Sequence, residues 1–373
     1  MEPLNISIKM FQGKEGLSVI KDDWRHVTNS MGDKRFYHLH HWYESYINTI
    51  ESDEAAVYFF LIYRGNRPIA VFPLKRVKKK LFGIMFNALE IPDHPHIDLS
   101  DFIFEKADEN AGLLTSLINY LNKKSLIDWD VILLPHLLEE SPVFHSFTVP
   151  PYPFVIYEPA GRCDYITCSP NEKTYSKLSK NFRGNLRKAR NKLFREKEVE
   201  FVSARKGAEL FRCFEEFLDV ESSGWKGEKG TKTAIKHSSG SVEFYRQLLE
   251  KYSENNGCEI NLLKIHGECI AGQFCLLVDD TIYILKIGYN EKYAQLAPGN
   301  MLLEKLIQRA SNDEKIKYIN LTTGSHWHKD WKPHSFKVVR VYIFNKTHIG
   351  LLGFILAKAK KHVLPIYRRY SNQ

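Results

Sequence analysis

The chain has 373 residues, which is more than one ordinary hydrophobic core needs and enough for two domains. Hydrophobic residues make up 43% and charged residues 26%, as in a soluble globular protein, and no apolar run reaches the roughly 18 residues of a membrane-spanning helix. The start of the chain lacks the basic and then apolar pattern of a secretory signal. A net charge of +9 favours anionic partners: cofactor phosphates, a nucleic acid or an anionic membrane surface.

The first half of the chain predicts alternating helices and strands, whereas the first 35 residues show little pattern. Hydrophobic residues recur at helical spacing from Phe36 to Ile50, and a second helix is predicted from Ala107 to Lys123. Strands are predicted over 56–63, 69–74, 84–89, 97–104 and 130–134. A cluster of prolines predicts a linker between two domains: Pro142, Pro150, Pro151, Pro153 and Pro159.

The second half predicts a basic helix followed by a mixed succession of elements. Asn171 to Glu196 has a continuous apolar stripe, and its basic face is either solvated or able to hold phosphates of a nucleotide-sugar, a lipid-linked glycan or tRNA. Further helices are predicted over 207–220, 242–255 and 298–310. Strands are predicted over 259–265, 268–278, 281–287, 318–321 and 338–344.

The two halves resemble each other, because the hairpin at Leu61 to Ala70 parallels the one at Leu263 to Ala271 and similar elements follow both. We therefore expect a duplicated α/β fold with domains at 1–160 and 161–346. Residues 347–373 form a basic amphipathic tail that can lie on a membrane surface or pack at an interface. The six cysteines show no C-x-x-C spacing. We therefore expect them to be small, reduced residues of the hydrophobic core, which indicates a reducing compartment and hence a cytoplasmic protein.

The first candidate site is the strand-to-helix turn that ends at Pro298. A helix start with free amide groups, and with Gly299 allowing close approach, is suited to a pyrophosphate. An ordinary structural turn is the alternative. The segment from Gln295 to Asn300 is the predicted phosphate contact: Gln295, Leu296, Ala297, Pro298, Gly299 and Asn300.

The second candidate site is the glycine-rich segment from Glu221 to Thr231. Glu221 is a candidate general base, Lys226 or Lys229 can bind phosphate or carboxylate, and Trp225 is a candidate substrate contact. The alternative is a solvated loop anchored by a buried Trp225.

The third candidate site is the loop from Thr322 to His334, which follows a predicted strand. His326, His328 and Asp330 can each hold or move a proton near neutral pH, and His328 and Trp331 are candidate substrate contacts. The histidine spacing does not match a zinc site, so we expect no metal. A purely structural aromatic loop is the alternative.

These three segments together resemble the CelD/BcsL-like acetyltransferases of the GNAT superfamily, a group associated with cellulose and other exopolysaccharide gene clusters. The resemblance rests on S-G-W-K-G-x-x-G-T at 223–231, K-I-x-Y-x-x-x-Y at 286–293 and the following P-G. It covers roughly residues 20–345 and implies two tandem GNAT-like domains, as in the Fem peptidyltransferases. One departure is that Pro298 and Asn300 replace the glycines of the usual Q/R-x-x-G-x-G/A motif.

The resemblance implies an acyl-CoA donor, most simply acetyl-CoA, and an amine or hydroxyl acceptor such as a surface-polysaccharide precursor. The pantetheine arm would lie along Lys286, Ile287, Gly288 and Tyr289. Glu221, His326 and Asp330 are the candidate bases. Two alternatives remain: a Fem-like transferase that uses aminoacyl-tRNA, and a non-catalytic scaffold of a polysaccharide synthesis complex.

Overall fold

The structure, a computed structural model, describes residues 6–94, 96–106, 112–124, 127–148, 152–168, 174–196, 198–228 and 230–370. The chain forms two compact units. The first contains Met1–Ile47, Glu51–Gly161 and Phe336–Gln373, and the second contains Asn48–Ile50 and Arg162–Ser335. The second unit is thus inserted before the last part of the first.

The first unit alternates helices with the strands of one mixed sheet. Its elements are β1 (Ile6–Gln12), α1 (Gly13–Val19), α2 (Lys21–Asn29), α3 (His40–Thr49), β2 (Val57–Arg64), β3 (Arg67–Leu81), β4 (Ile84–Glu90), β5 (Ile103–Phe104), α4 (Leu113–Lys124), β6 (Val131–Leu138), α5 (Pro142–Thr148) and the first part of β7 (Val155–Thr167). After the second unit come β13 (His334–Phe344) and α11 (His348–Tyr370).

Within the first unit these strands are ordered β1-β2-β3-β4-β6-β13, with β5 paired to β3. The pairing of β4 with β6 is parallel, and the other neighbours in this order are antiparallel. Apolar residues of these strands and of α4 form one core, which includes Phe60, Phe72, Leu117, Ile132 and Ile343.

The second unit also combines helices with strands that pair in a mixed arrangement. Its elements are the rest of β7, α6 (Thr174–Lys177), α7 (Lys180–Leu193), β8 (Val199–Ala204), α8 (Gly207–Ser223), α9 (Ser239–Ser253), β9 (Cys258–Ile265), β10 (Glu268–Val278), β11 (Thr281–Tyr289), α10 (Pro298–Ser311) and β12 (Tyr318–Asn320). The strand order is β7-β12-β11-β10-β9-β8, and only the β11–β12 pairing along this order is parallel.

The parallel pairing of β11 with β12 is short and positions the candidate site. Thr281, Ile282 and Tyr283 pair with residues 318–320, and β11 then continues without β12 to Tyr289. The register between β10 and β11 also shifts, because Phe274 faces Lys286 whereas Cys275 faces Ile284. Such a bulge bends a strand and re-aims its groups, here in the same stretch where β12 ends.

Most predicted strands and helices of the second half are present with small changes in their ends. Three expectations are wrong, and one segment without a prediction is structured. The single helix over 171–196 is divided at Ser179, whose side chain caps α7 by accepting a hydrogen bond from the amide of Phe182 at 3.1 Å. The proline-rich linker contains α5 and much of β7. The strand predicted over 97–104 is reduced to β5. The weakly patterned amino end forms β1, α1 and α2.

The last strand also differs from its expected place. We predicted that 338–344 completes the second domain, whereas β13 pairs with β6 in the first unit, with Ile343 opposite Ile132. Parts of the predictions at 107–111 and 171–173, together with Lys229, lie outside the described residues.

The structure also bears on two features of the composition, the cysteines and the apolar segments. The six cysteines are free and five of them are buried, with Cys269 partly exposed. Within the described part of the chain, none of the helices combines the length and the apolar character needed to cross a bilayer.

Candidate active site

The start of α10 has the geometry of an anion site. Ala297 adopts a left-handed backbone conformation (φ +47°), which turns the chain so that Pro298 is the first residue of the helix. The first amide groups of a helix have no acceptor within it and carry partial positive charge. A Cβ added to Gly299 would meet nothing within 4 Å, so open space lies in front of this turn. Gln295 is exposed beside it, whereas Leu296 is buried.

Two side chains reach the part of β11 that extends beyond β12. The Thr322 hydroxyl donates to the carbonyl of Ile284 at 3.1 Å, and the ammonium group of Lys226 donates to the carbonyl of Ile287 at 2.7 Å. The candidate segments at 221–231 and 322–334 therefore both contact β11.

A pair of glycines brings α8 against the same strands. Gly272 and Gly288 lie opposite each other on β10 and β11. A Cβ on Gly288 would lie 2.4 Å from the Cα of Glu221, and one on Gly272 would lie 2.7 Å from the ring of Phe217. Side chains at either position would overlap with the helix, so the glycines permit the close approach that fixes Glu221 over β11.

Glu221 is buried, with 1% of its surface exposed, and of its two oxygens only Oε2 has a hydrogen-bond partner among the described residues. Oε2 accepts a hydrogen bond from the amide of Ile235 at 2.9 Å, and Oε1 lies 3.3 Å from Nζ of Lys226. The negative charge also contributes, after burial, to raising the pKa of Tyr245. This carboxylate is therefore well placed to hold Lys226 and the segment after α8 against β11.

The glycine-rich segment after α8 is a compact turn that exposes its tryptophan. The amide of Gly227 donates to the carbonyl of Gly224 at 2.9 Å, and that of Gly230 donates to Gly227 at 3.0 Å. Trp225 is 55% exposed, so the alternative of a buried anchor is wrong. The ammonium group of Lys226 lies 5.7 Å from the centre of the Trp225 ring. An exposed aromatic ring beside a cation is available to contact a ligand.

The loop at 322–334 separates its candidates into exposed and buried residues. His326 and Asp330 are exposed, whereas His328 and Trp331 are 2% exposed. Nδ1 of His328 lies 2.9 Å from Oδ2 of the fully buried Asp164. Burial lowers the pKa of His328, and the Asp164 carboxylate only partly opposes this effect. His328 is therefore a buried group that supports the loop. It does not lie at the surface, where it could act as an acid or a base.

Asp164 is a residue that the sequence analysis missed. Its Oδ1 accepts hydrogen bonds from Arg162 Nε at 2.9 Å and from the Ser335 hydroxyl at 2.6 Å. This network fastens both ends of the loop at 322–334 to β7. The only available signal was an arginine and an aspartate two positions apart, just after the proline-rich stretch and in a segment for which no element was predicted.

Trp331 connects the same loop to the start of α10. Its indole N–H donates to Oδ1 of Asn300 at 3.1 Å, and its ring contacts that of Phe182 at a centroid distance of 5.2 Å, edge to face. Asn300, which replaces a motif glycine, is therefore held by the buried core of the unit. This arrangement favours a positioning role for Trp331 over direct substrate contact.

The sequence comparison gives a specific match for this unit. Residues 180–332, which include α7, β11 and the start of α10, match the family model described as "Acetyltransferase (GNAT) domain". This part of the chain is therefore a GNAT-type acyltransferase domain. A search of curated proteins found no match.

Solved structures show the same fold over most of the chain. "L-PGS from Bacillus licheniformis" is 13% identical, with a TM-score of 0.54, over 90% of this chain and 95% of that one. "FemX" is 10% identical, with a TM-score of 0.55, over 89% and 98%. The C-terminal domain of a "Putative Lysylphosphatidylglycerol Synthetase from Agrobacterium fabrum" is 8% identical, with a TM-score of 0.53, over 91% and 96%. The GNAT-type α/β fold, a mixed sheet flanked by helices, is thus shared, and these identities bear on the fold alone.

Proposed function

We propose that the protein transfers an acyl group, most simply acetyl, from acyl-CoA to an amine or hydroxyl of a surface-polysaccharide precursor. The observation that carries this proposal is the open space before Gly299 at the start of α10, next to the part of β11 that β12 leaves uncovered. A helix start attracts a pyrophosphate, and the edge of an uncovered strand can pair with the amides of a pantetheine arm. The resemblance to the CelD/BcsL-like group implies that the acyl-CoA donor binds here, at what we call the donor side.

The roles of the donor residues follow from their places. The amides of Gly299 and Asn300 would hold the pyrophosphate, while Gln295 and Ala297 border that turn. Lys286 to Tyr289 would align the thioester along β11. A backbone amide of this strand would stabilise the negative charge that develops on the carbonyl oxygen.

The acceptor must lose a proton as it attacks the thioester carbonyl and the CoA thiolate leaves. His326 and Asp330 are exposed and remain the candidate bases, directly or through water. Glu221 is already engaged with the Ile235 amide and Lys226, which makes it the weaker candidate. We assign acceptor contact to Trp225, with Lys226 beside it.

A second candidate donor is aminoacyl-tRNA, as in a Fem-like transferase. Pro298 and Asn300 replace the glycines of the usual phosphate-binding motif, and the strongly basic α7 packs against α10. Both observations favour a donor whose phosphates are held by side chains in addition to backbone amides.

Calorimetric titration with acetyl-CoA and CoA tests the donor assignment, with Gly299→Trp and Gly299→Ala compared. We expect micromolar binding by the native protein, loss of binding in Gly299→Trp because the indole fills the open space, and retention in Gly299→Ala. A folded native protein that binds neither ligand would rule out the acyl-CoA donor.

We further propose that the protein works in the cytoplasm and contacts the inner face of a membrane through α11. This helix packs on the first unit through Phe354 and Ala357 and exposes Ile349, Leu352 and Ile355. Exposed apolar residues near Lys358 and Lys361 suit an anionic lipid surface. Sedimentation with anionic vesicles should be lost in Leu352→Ser/Ile355→Ser, and equal sedimentation of this variant would refute the contact.

A further inference from the structure

The start of α3 groups three side chains of the kinds that bind transition metals. His40, His41 and Glu44, which we call the α3 cluster, each place one ligand atom within 4.8 Å of the others. Glu44 follows the two histidines by about one helical turn, so its carboxylate lies on their side of the helix. Adjacent histidines do not have the spacing of a typical zinc motif, which is why the sequence predicts no metal here.

The ring of His40 carries a lone pair that no described residue uses. Its Nε2 lies 3.0 Å from the carbonyl oxygen of Leu17. Because a carbonyl oxygen can only accept a hydrogen bond, Nε2 carries the proton, and Nδ1 of the neutral ring carries the lone pair. Nδ1 is buried and has no hydrogen-bond partner among the described residues, and His40 as a whole is only 4% exposed. A buried acceptor costs free energy unless a ligand uses it.

The contact with Leu17 has the form of an outer-shell hydrogen bond. A histidine that binds a metal through one ring nitrogen usually donates its other N–H to a carbonyl or a carboxylate, which fixes the ring. Leu17 is in α1, and the ring of Trp24 on α2 contacts His40 edge to face at a centroid distance of 5.8 Å. The direction of the His40 ring is therefore set by the protein itself.

The other two side chains of the cluster leave it accessible to an ion. Those of His41 and Glu44 are 29% and 33% exposed, and Nδ1 of His41 lies 3.6 Å from Oε2 of Glu44. A tetrahedral zinc ion with bonds of about 2.1 Å holds its ligands roughly 3.4 Å apart. The ligand atoms must therefore approach by at most about 1.4 Å, which rotation of the Glu44 side chain can supply.

Both histidines are in the form that binds a metal. Burial lowers the pKa of His40 and of His41, and the positive charges of Lys21 and Arg25 add to the effect, while Glu44 opposes it. The two rings are therefore neutral near pH 7, and each has a lone pair to donate.

We propose that the α3 cluster binds a zinc ion through Nδ1 of His40, a ring nitrogen of His41 and the carboxylate of Glu44, with water as the fourth ligand. Two nitrogens and one carboxylate suit Zn²⁺, whereas Mg²⁺ and Ca²⁺ take oxygen ligands. The ion stabilises the packing of α3 against α1, because the His40 ring joins it to the Leu17 carbonyl. The inference is independent of the proposed acyl donor, since the cluster belongs to the first unit and the candidate active site to the second.

Zinc and cobalt titrations of the full chain, after dialysis against a chelator, test the cluster. We expect one Zn²⁺ per chain by elemental analysis, and a visible Co²⁺ spectrum typical of tetrahedral coordination. His41→Ala/Glu44→Gln should lower the affinity for zinc at least about 100-fold, because two of the three protein ligands are lost. Zinc at about 100 times its Kd should raise the melting temperature of the native protein by roughly 5 °C or more.

The matched control is Asp22→Asn/His26→Ala. These residues are also a carboxylate and an imidazole one helical turn apart, but both are exposed on α2, so zinc affinity should not change. A native protein that binds no stoichiometric zinc, or an equal loss of affinity in both pairs, would overturn the inference. Zinc binding that survives in a folded His41→Ala/Glu44→Gln would place the ion elsewhere and also overturn it. If that variant does not fold, the single variant Glu44→Gln and the cobalt spectrum of the native protein decide.

Discussion

At the scale of single residues, Glu221 and Lys226 form an internal connection between α8, the turn after it and β11. The side chain of Glu221 is inaccessible to solvent and that of Lys226 is 13% exposed. Removing one partner of a buried ion pair leaves an uncompensated charge, which costs more than the pair itself contributes.

We predict that Glu221→Ala lowers the free energy of unfolding by about 3 kcal/mol, because Lys226 loses its counter-charge and the Ile235 amide loses its acceptor. Urea denaturation measures the change. The double variant Glu221→Ala/Lys226→Met should recover part of the loss, since it removes the stranded ammonium group. Native stability combined with a large loss in kcat would instead identify Glu221 as the general base.

We also predict a pH-dependent contribution from His328. Because burial lowers its pKa in the folded state, the unfolded chain binds a proton more readily below about pH 6.5. The stabilising contribution is present above that pH and is lost as the pH falls, by at most about 1.4 kcal/mol per pH unit.

Urea denaturation between pH 7.5 and 5 should therefore show a shallower loss of stability in His328→Gln than in the native protein. His38, His40 and His41 also have lowered pKa values, but they are present in both proteins and cancel in the difference. Identical pH profiles would refute the contribution.

At the scale of elements, the sequence predicted best where periodicity and burial agree. The apolar runs at β9 and β10, and the apolar stripe of α7, were visible without the structure. The break between α6 and α7 was not visible in the sequence, because it depends on the capping hydrogen bond of the Ser179 hydroxyl. Prolines also misled us, since Pro159 lies within β7.

The candidate site was predictable only in part. Turn chemistry marked Pro298 and Gly299 because their backbone preferences are local. The pairing of His328 with Asp164 joins positions 164 residues apart, and the burial that decides its role cannot be read from the loop alone. The exposure of Trp225 depends likewise on how its turn folds against β11.

We predict that Gly288→Ala lowers the free energy of unfolding by about 2 kcal/mol, because the methyl group would overlap with the backbone of α8. Gly299→Ala is the matched control and should change stability by less than about 0.5 kcal/mol, since its surroundings are open. Thermal and urea denaturation compare the two. Equal stability of both variants would show that α8 can move away without cost.

At the scale of the whole molecule, the chain has a separate hydrophobic core in each unit, and the core of the first depends on the last strand. Ile343 on β13 is fully buried with Ile132 of β6, although the second unit separates them in sequence. A change near the end of the chain should therefore act on the first unit.

We predict that Ile343→Ala costs about 3 kcal/mol and that the loss is confined to the first unit. Hydrogen exchange should show faster exchange in β4 and β6 and unchanged protection in β9 and β10. Leu262→Ala, in the buried β9, is the reciprocal control. Equal loss of protection in both units would show that they unfold as one.

The late position of β13 has a consequence for the newly synthesised chain. While the ribosome makes the second unit, at roughly 5–20 residues per second, the edge of β6 that β13 will occupy has no partner. An apolar strand with an open edge pairs readily with other chains. During this interval β6 of the nascent protein is open to binding by a chaperone. It can also pair with a neighbouring nascent copy on the same messenger RNA before β13 is synthesised.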